Sequence, residues 1–244
     1  MTEDKIPFNK QLRLVTREIH SVSDMLVNGK LAFALSANTV WAEGLLVFYE
    51  VFRYLEEAMD RHKEENLGKM AVEGMFRTEA FEKDLAFYLG NDWKKTYVIR
   101  PAVAKYLSHL QSLERENPDY LIAFVYHLYM GLLSGGQILK HKRKVMKKFQ
   151  LSASLDSVKG ENVTNFGDHT IYSIKCKIVS TVNEIAEHLD QKTKDKILEE
   201  SKNVFLLNND IINTIEGTGA ILIKKLCLVS CICSVVILSY FYFR

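Results

Sequence analysis

The stretch YHLYMGLLSGGQILK, residues 126–140, decides the fold. It continues a run that opens at Asn117-Pro118, a standard helix start: asparagine caps, and proline at the first helical position lacks only an N–H that has no helical partner anyway. No alternating, β-branched pattern competes with a helix here. Yet the run holds Gly131, Gly135 and Gly136, and each interior glycine costs about 1 kcal/mol relative to alanine, about 3 kcal/mol together. Something must compensate. Gly131 and Gly135 stand four apart, hence on one face, and a face without Cβ atoms lets the helix bend and approach a flat object closely. Close helix–helix packing would compensate equally well, and spacing alone leaves both open.

Outward from this stretch the helical period recurs. Leu12, Val15, Ile19, Val22 and Leu26 share one face of a first helix. A second runs over about 31–63, with Leu46, Tyr49, Phe52 and Leu55 in register. Thr78 is placed to cap a short helix ending at Gly90, and Pro101 punctuates the next segment. Asp168 is placed to cap a helix carrying Ile171, Ile174, Ile178, Val182, Ile185 and Leu189, and a last one over about 194–216 ends at Gly217. The stretch 150–167 is the one clear polar loop. With only 12 glycines and 3 prolines in 244 residues and 48% hydrophobic content, collagen-like, low-complexity and disordered classes are excluded. A balance of 32 Lys and Arg against 30 Asp and Glu excludes a chain built mainly to hold nucleic acid. The expected fold class is all-α, a single helical bundle.

The C-terminus adds a membrane element. Residues 226–243, LCLVSCICSVVILSYFYF, form 18 uncharged, mainly apolar positions between Lys224-Lys225 and Arg244. A helix of that length spans about 27 Å, the hydrocarbon thickness of an endoplasmic reticulum bilayer. Tyr240 and Tyr242 suit one interface, and the lysine pair suits the cytosolic flank. The chain therefore divides into a cytosolic helical domain, 1–220, and a C-terminal transmembrane anchor, 221–244. Of the cysteines, Cys227, Cys231 and Cys233 fall inside the apolar run and Cys176 stands alone, so no disulfide framework is readable and a reducing compartment is expected. The polar N-terminus has no apolar core of a secretory signal.

Thr16, His20 and Asp24 stack at four-residue steps along the edge of the first helix. An imidazole there can bind a metal through one nitrogen while Asp24 steers the other. A satisfied core histidine fits the same spacing. His62, His109, His127, His141, His169 and His188 show no metal-ligand spacing, and no phosphate loop, GxSxG elbow or CxxC pair occurs.

Four stretches taken together carry a resemblance: REIHSVSDMLVNGKLAFA at 17–34, EKDLAFYLG at 82–90, YHLYMGLLSGGQILK at 126–140 and FLLNN at 205–209. The chain resembles the heme oxygenases over nearly its whole length. The resemblance implies a helical fold that sandwiches heme, at once substrate and cofactor, between a proximal and a distal helix. Dioxygen and electrons from an NADPH-dependent cytochrome reductase of the same membrane then open heme to biliverdin, with release of carbon monoxide and ferrous iron. Residue by residue, it implies His20 as proximal iron ligand, Asp24 as the carboxylate that orients it, and Gly131 and Gly135 as distal glycines whose backbone lies against the heme. Arg13, Tyr126 and Lys175 fall at positions on the propionate side, and Thr16, Gly136 and Phe205 complete the heme-binding set.

Against the family pattern, Leu132 stands where an aspartate is usual, Phe52 where a tyrosine is, and Leu128 and Val179 where arginines are. Leucine offers no acceptor for ordered water, so slower oxygen activation is expected. Loss of one propionate clamp implies more than one heme orientation and mixed biliverdin isomers. The basic run Lys140, Lys142, Arg143, Lys144, Lys147 and Lys148 reads either as a solvated helix end or as a dock for the reductase's acidic face. Two other functions share these features: a heme-binding or heme-sensing protein without turnover, and a membrane-tethered adaptor without cofactor.

Overall fold

The computed structural model describes residues 6–31, 35, 37–148, 160–217 and 219. The apolar run 226–243 and most of the polar loop 150–167 lie outside the described residues. All regular structure among the described residues is helical: α1 Phe8–Val15, α2 Arg17–Leu31, α3 Asn38–Arg61, α4 Asn66–Lys69, α5 Thr78–Leu89, α6 Trp93–Thr96, α7 Pro101–Glu116, α8 Ile122–Gly131, α9 Gln137–Lys148, α10 Ile171–His188 and α11 Gln191–Asn213. Between α8 and α9 the chain makes a wide π-turn, Leu132–Gly136.

The hub is α8. Its residues are buried on every side, Ile122, Phe124, Val125 and Tyr129 being fully enclosed, because the segment is apolar all round rather than along one stripe. By length and composition the run 118–147 is apolar enough to cross a membrane, but half of its apolar window is buried inside the protein. Helices α10 and α11 pack on α8, and α11 reaches α2 as well, while α3 packs against α5 and α7. Phe52 of α3 meets Tyr129 edge-on at 5.1 Å, which ties the two halves of the core together.

Several boundaries differ from the sequence expectation, each for a physical reason. The first helix is two, broken at Thr16, whose hydroxyl donates to the Leu12 carbonyl at 2.8 Å. The face of α2 that packs inward carries Ser23, Leu26 and Val27, leaving Val22 half exposed. The second long helix begins at Asn38 rather than near 31. Thr78 is the first residue of α5, not its cap; that duty falls to Glu56 of α3, whose carboxylate accepts from the Arg77 and Thr78 amides at 2.5 and 3.1 Å. Thr170 rather than Asp168 caps α10, its hydroxyl accepting from the Ser173 amide, and Asp190 caps α11, which starts at Gln191. The expected stop holds at Gly90, at positive φ, as does the Asn117 cap on the Asp119 amide, whereas the last helix ends at Asn213, with Thr214 as its cap, before it reaches Gly217.

Candidate functional site

His20 sits one turn into α2. Its Nδ1 lies 3.1 Å from Asp24 Oδ2, so the ring's Nδ1–H donates to the carboxylate and Nε2 keeps a free lone pair. Ring and carboxylate are 57% and 64% exposed, so this pair faces a space rather than the core. Phe205 of α11 packs against the imidazole at 5.3 Å, and His127 of α8 packs against the same Phe205 ring, also at 5.3 Å. Tyr126 adjoins His127 at 5.0 Å. Among the described residues no three His, Cys, Asp or Glu side chains gather to hold a bare ion. A single imidazole of this kind suits a metal that arrives already held by other donors.

The glycines separate into two roles. A Cβ built on Gly131 or Gly135 meets nothing within 4 Å, so these two border open space and are not at a helix–helix contact. Gly136 is the packing glycine: its Cβ would lie 2.9 Å from Leu132 Cδ1 and 4.0 Å from Thr164 Cγ2. The bend anticipated from the glycines is the π-turn itself, whose extra residue interrupts the regular ladder. Just beyond it, Gln137 donates to the Thr164 carbonyl at 2.9 Å and steadies the start of α9.

Arg13 and Tyr126 share a neighbourhood. Burial pushes the Tyr126 phenol up, and the exposed Arg13 guanidinium pulls it the other way. Lys175 is half-buried on α10, the helix that packs against both α1 and α8. Thr16 is buried at the α1–α2 junction, and its hydroxyl proton is committed to the Leu12 carbonyl. The apolar departures cluster in apolar surroundings: Phe52 and Leu128 are buried, and Val179 and Leu132 pack on the same core.

The basic run needs a correction. Arg143 is 1% exposed, donates to the Leu35 and Ala37 carbonyls and to Asn38 Oδ1, and stacks its guanidinium on Trp41 at 4.8 Å. It is a buried clamp holding α9 to the segment before α3, not part of a docking face. Its register shows why: Leu139 and Met146, on the same side of α9, also pack inward. Lys140 pairs with Glu161 at 3.3 Å, and of the rest Lys142 and Lys144 stand exposed.

Two features escaped the sequence reading. Glu56 accepts from the Tyr129 hydroxyl at 2.6 Å besides capping α5, a contact across the core that no local spacing announces. Ser23 Oγ and His127 Nε2 are sealed from solvent without a hydrogen-bond partner. Ser23 stands one turn beyond His20 and His127 one turn before Gly131, so register alone places both beside the site.

Comparison with known proteins bears on this geometry. The family profile described as heme oxygenase matches residues 6–214. A heme oxygenase 1 of Nostoc is 30% identical over 172 residues, 70% of this chain and 69% of the relative. The crystal structure of heme oxygenase 2 from Chlamydomonas reinhardtii without heme superposes with a TM-score of 0.76 at 28% identity, covering 86% of this chain and 97% of that one. Heme oxygenase-1 from Synechocystis in complex with heme has the same fold, with a TM-score of 0.76 at 24% identity over 92% of this chain and 98% of that one.

Proposed function

Because the chain belongs to the heme oxygenase family, we propose that it opens heme to biliverdin, carbon monoxide and ferrous iron with His20 as iron ligand and Gly131 and Gly135 as the opposing wall. The observation that carries this reading is the pairing of an exposed, carboxylate-steered imidazole with two glycines that border open space. The residues fit the group: a neutral Nε2 for iron, a wall without Cβ atoms for a flat macrocycle, and Arg13 and Lys175 as cations for its carboxylates. Bound heme supplies both the iron at which dioxygen is activated and the carbon that is oxidised.

The rest is done by this chain. Asp24 orients the imidazole, so that an iron bound there would meet one ring nitrogen in one direction. Phe205 packs against one flank of that imidazole. At the π-turn, Gly131 and Gly135 offer backbone rather than side chains to the open space that a macrocycle would fill. The Leu132 side chain offers no acceptor, so ordered water beside it would have to be held by other groups. Exposed Lys142 and Lys144 offer positive charge to a reductase, and the apolar run 226–243 behind Lys224-Lys225 supports attachment to the endoplasmic reticulum membrane facing the cytosol.

The test is to load the full-length chain with hemin and supply reductase and NADPH in air. The Soret band is expected to vanish as biliverdin and carbon monoxide appear, whereas a Soret band that persists under reduction overturns the reading. Chromatography of the product is expected to show mixed biliverdin isomers, since Val179 provides no clamp; a single isomer removes that point. Leu132→Asp is expected to speed turnover about tenfold or more by restoring an acceptor for ordered water. An unchanged single-turnover rate in Leu132→Asp would show that the wall does not need one.

A further inference from the structure

The segment after α11 is pinned to the body of the domain. Ile215 is buried, the Glu216 amide donates to Glu43 Oε2 at 3.3 Å, and a Cβ on Gly217 would touch Val40 Cγ2 at 3.7 Å. Arg100, just before α7, completes the arrangement: its guanidinium donates to the Thr214 carbonyl at 2.7 Å and pairs with Glu43. Only residues 218–225 separate Gly217 from the apolar run 226–243. Fully extended, that stretch reaches about 30 Å, less than the width of a domain of this size, about 45 Å. With the run in a bilayer, the face around Arg100 is the one held towards it.

Val98 and Ile99 stand on that face, 79% and 40% exposed, immediately before Arg100. Both ends of their loop are fixed. Tyr97 packs on Trp93 at 5.6 Å and on Tyr49 at 6.5 Å, while Arg100 is held by Thr214 and Glu43 and kept extended by Pro101 after it, at φ −70° and ψ 148°. A lone exposed apolar side chain needs no explanation. A rigidly displayed pair beside the exit towards a membrane run has one. Charge adds little here, because Lys94 and Lys95 are paired with Glu82 and Asp92 at 2.6 and 2.7 Å.

We propose that Val98 and Ile99 form a second membrane contact, their side chains entering the interfacial layer of the bilayer that holds 226–243. This rests on the membrane attachment proposed above. Two side chains bind a bilayer weakly by themselves, but the tether keeps them beside it, so a weak contact suffices to orient the domain.

The experiment places the full-length chain in neutral phosphatidylcholine vesicles containing a phospholipid with a benzophenone on one acyl chain. The vesicles are floated and irradiated, and the lipid adducts are mapped by peptide mass spectrometry. Adducts are expected on the peptide holding Val98 and Ile99 as well as on 226–243, with none on residues 61–65, which begin where α3 ends, about 27 Å along it from Glu43. The double variant Val98→Asp/Ile99→Asp is expected to cut the first adduct about tenfold or more, since withdrawing an apolar side chain from water favours the inserted state by at least that factor, and to leave the second unchanged. Adducts confined to 226–243 overturn the proposal, as do equal adducts on 61–65 or adducts at 98–99 that the aspartates do not diminish. A chain that does not float with the vesicles overturns the membrane attachment as well, whereas a chain that floats without adducts at 98–99 leaves that attachment standing.

Discussion

His20→Ala should abolish turnover, by at least about 100-fold, while barely changing the stability of the ligand-free chain. The imidazole is 57% exposed and touches little besides Asp24 and Phe205, so its removal forfeits one exposed i,i+4 pair, about 0.5 kcal/mol, and creates no enclosed cavity. The iron, by contrast, would lose the imidazole that Asp24 orients. Two measurements separate these effects. Thermal unfolding of the ligand-free variant should match wild type within about 2 °C, and the loaded variant should lose the spectroscopic signature of an iron–histidine bond. Added imidazole should enter the vacated space and recover part of the activity, because Phe205 and Asp24 remain to receive it. A variant that keeps wild-type turnover would remove His20 from its role.

Glu56→Ala should do the opposite and cost about 3–5 kcal/mol of stability. The carboxylate is 7% exposed and is the common acceptor for the Arg77 amide, the Thr78 amide and hydroxyl, and the Tyr129 hydroxyl. Alanine leaves all of these donors unmet in the core and uncaps α5 at once. For a domain of this size the loss corresponds to a fall in Tm of about 10 °C. Glu56→Gln keeps the shape and one acceptor oxygen, so it should fall between the two. Denaturant unfolding checks the order, and an alanine variant within about 1 kcal/mol of wild type would mean that water replaces the carboxylate. Because Tyr129 lies two residues before Gly131, a partly folded Glu56 variant should also bind hemin more weakly, through the loosened end of α8.

Legibility in the sequence depends on which forces are local. The all-helical class came from the recurrence of apolar side chains at three and four residues, which α10 obeys with Ile174, Ile178, Val182 and Ile185 all buried. The stop at Gly90 was readable because a positive φ is a property of one residue. The break at Thr16 was not, since a threonine back-bonding to Leu12 looks in sequence like any helical threonine. Nor was the α5 cap, which comes from a carboxylate 22 positions away from Thr78. In the site, His20, Asp24 and the glycines were legible through their spacing and the resemblance it carried. Arg143 was misread because charge was weighed above register, and its burial rests on carbonyls from another segment. The orphaned nitrogen of His127 exists only once α8 and α11 have packed.

The π-turn at Leu132–Gly136 also sets the phase of everything after it. One residue more than a plain α-helix needs would turn α9 by about 100° about the axis inherited from α8, and the wide turn takes that residue up. At that phase Arg143 meets the Leu35 and Ala37 carbonyls and Gln137 meets the Thr164 carbonyl. Deleting one residue of the turn would give a regular helix with α9 at the same phase, whereas straightening the turn at its present length would swing Arg143 into solvent and carry a neighbouring lysine toward the core. The extra residue and the wide turn therefore compensate for one another, and neither can be changed alone without turning α9.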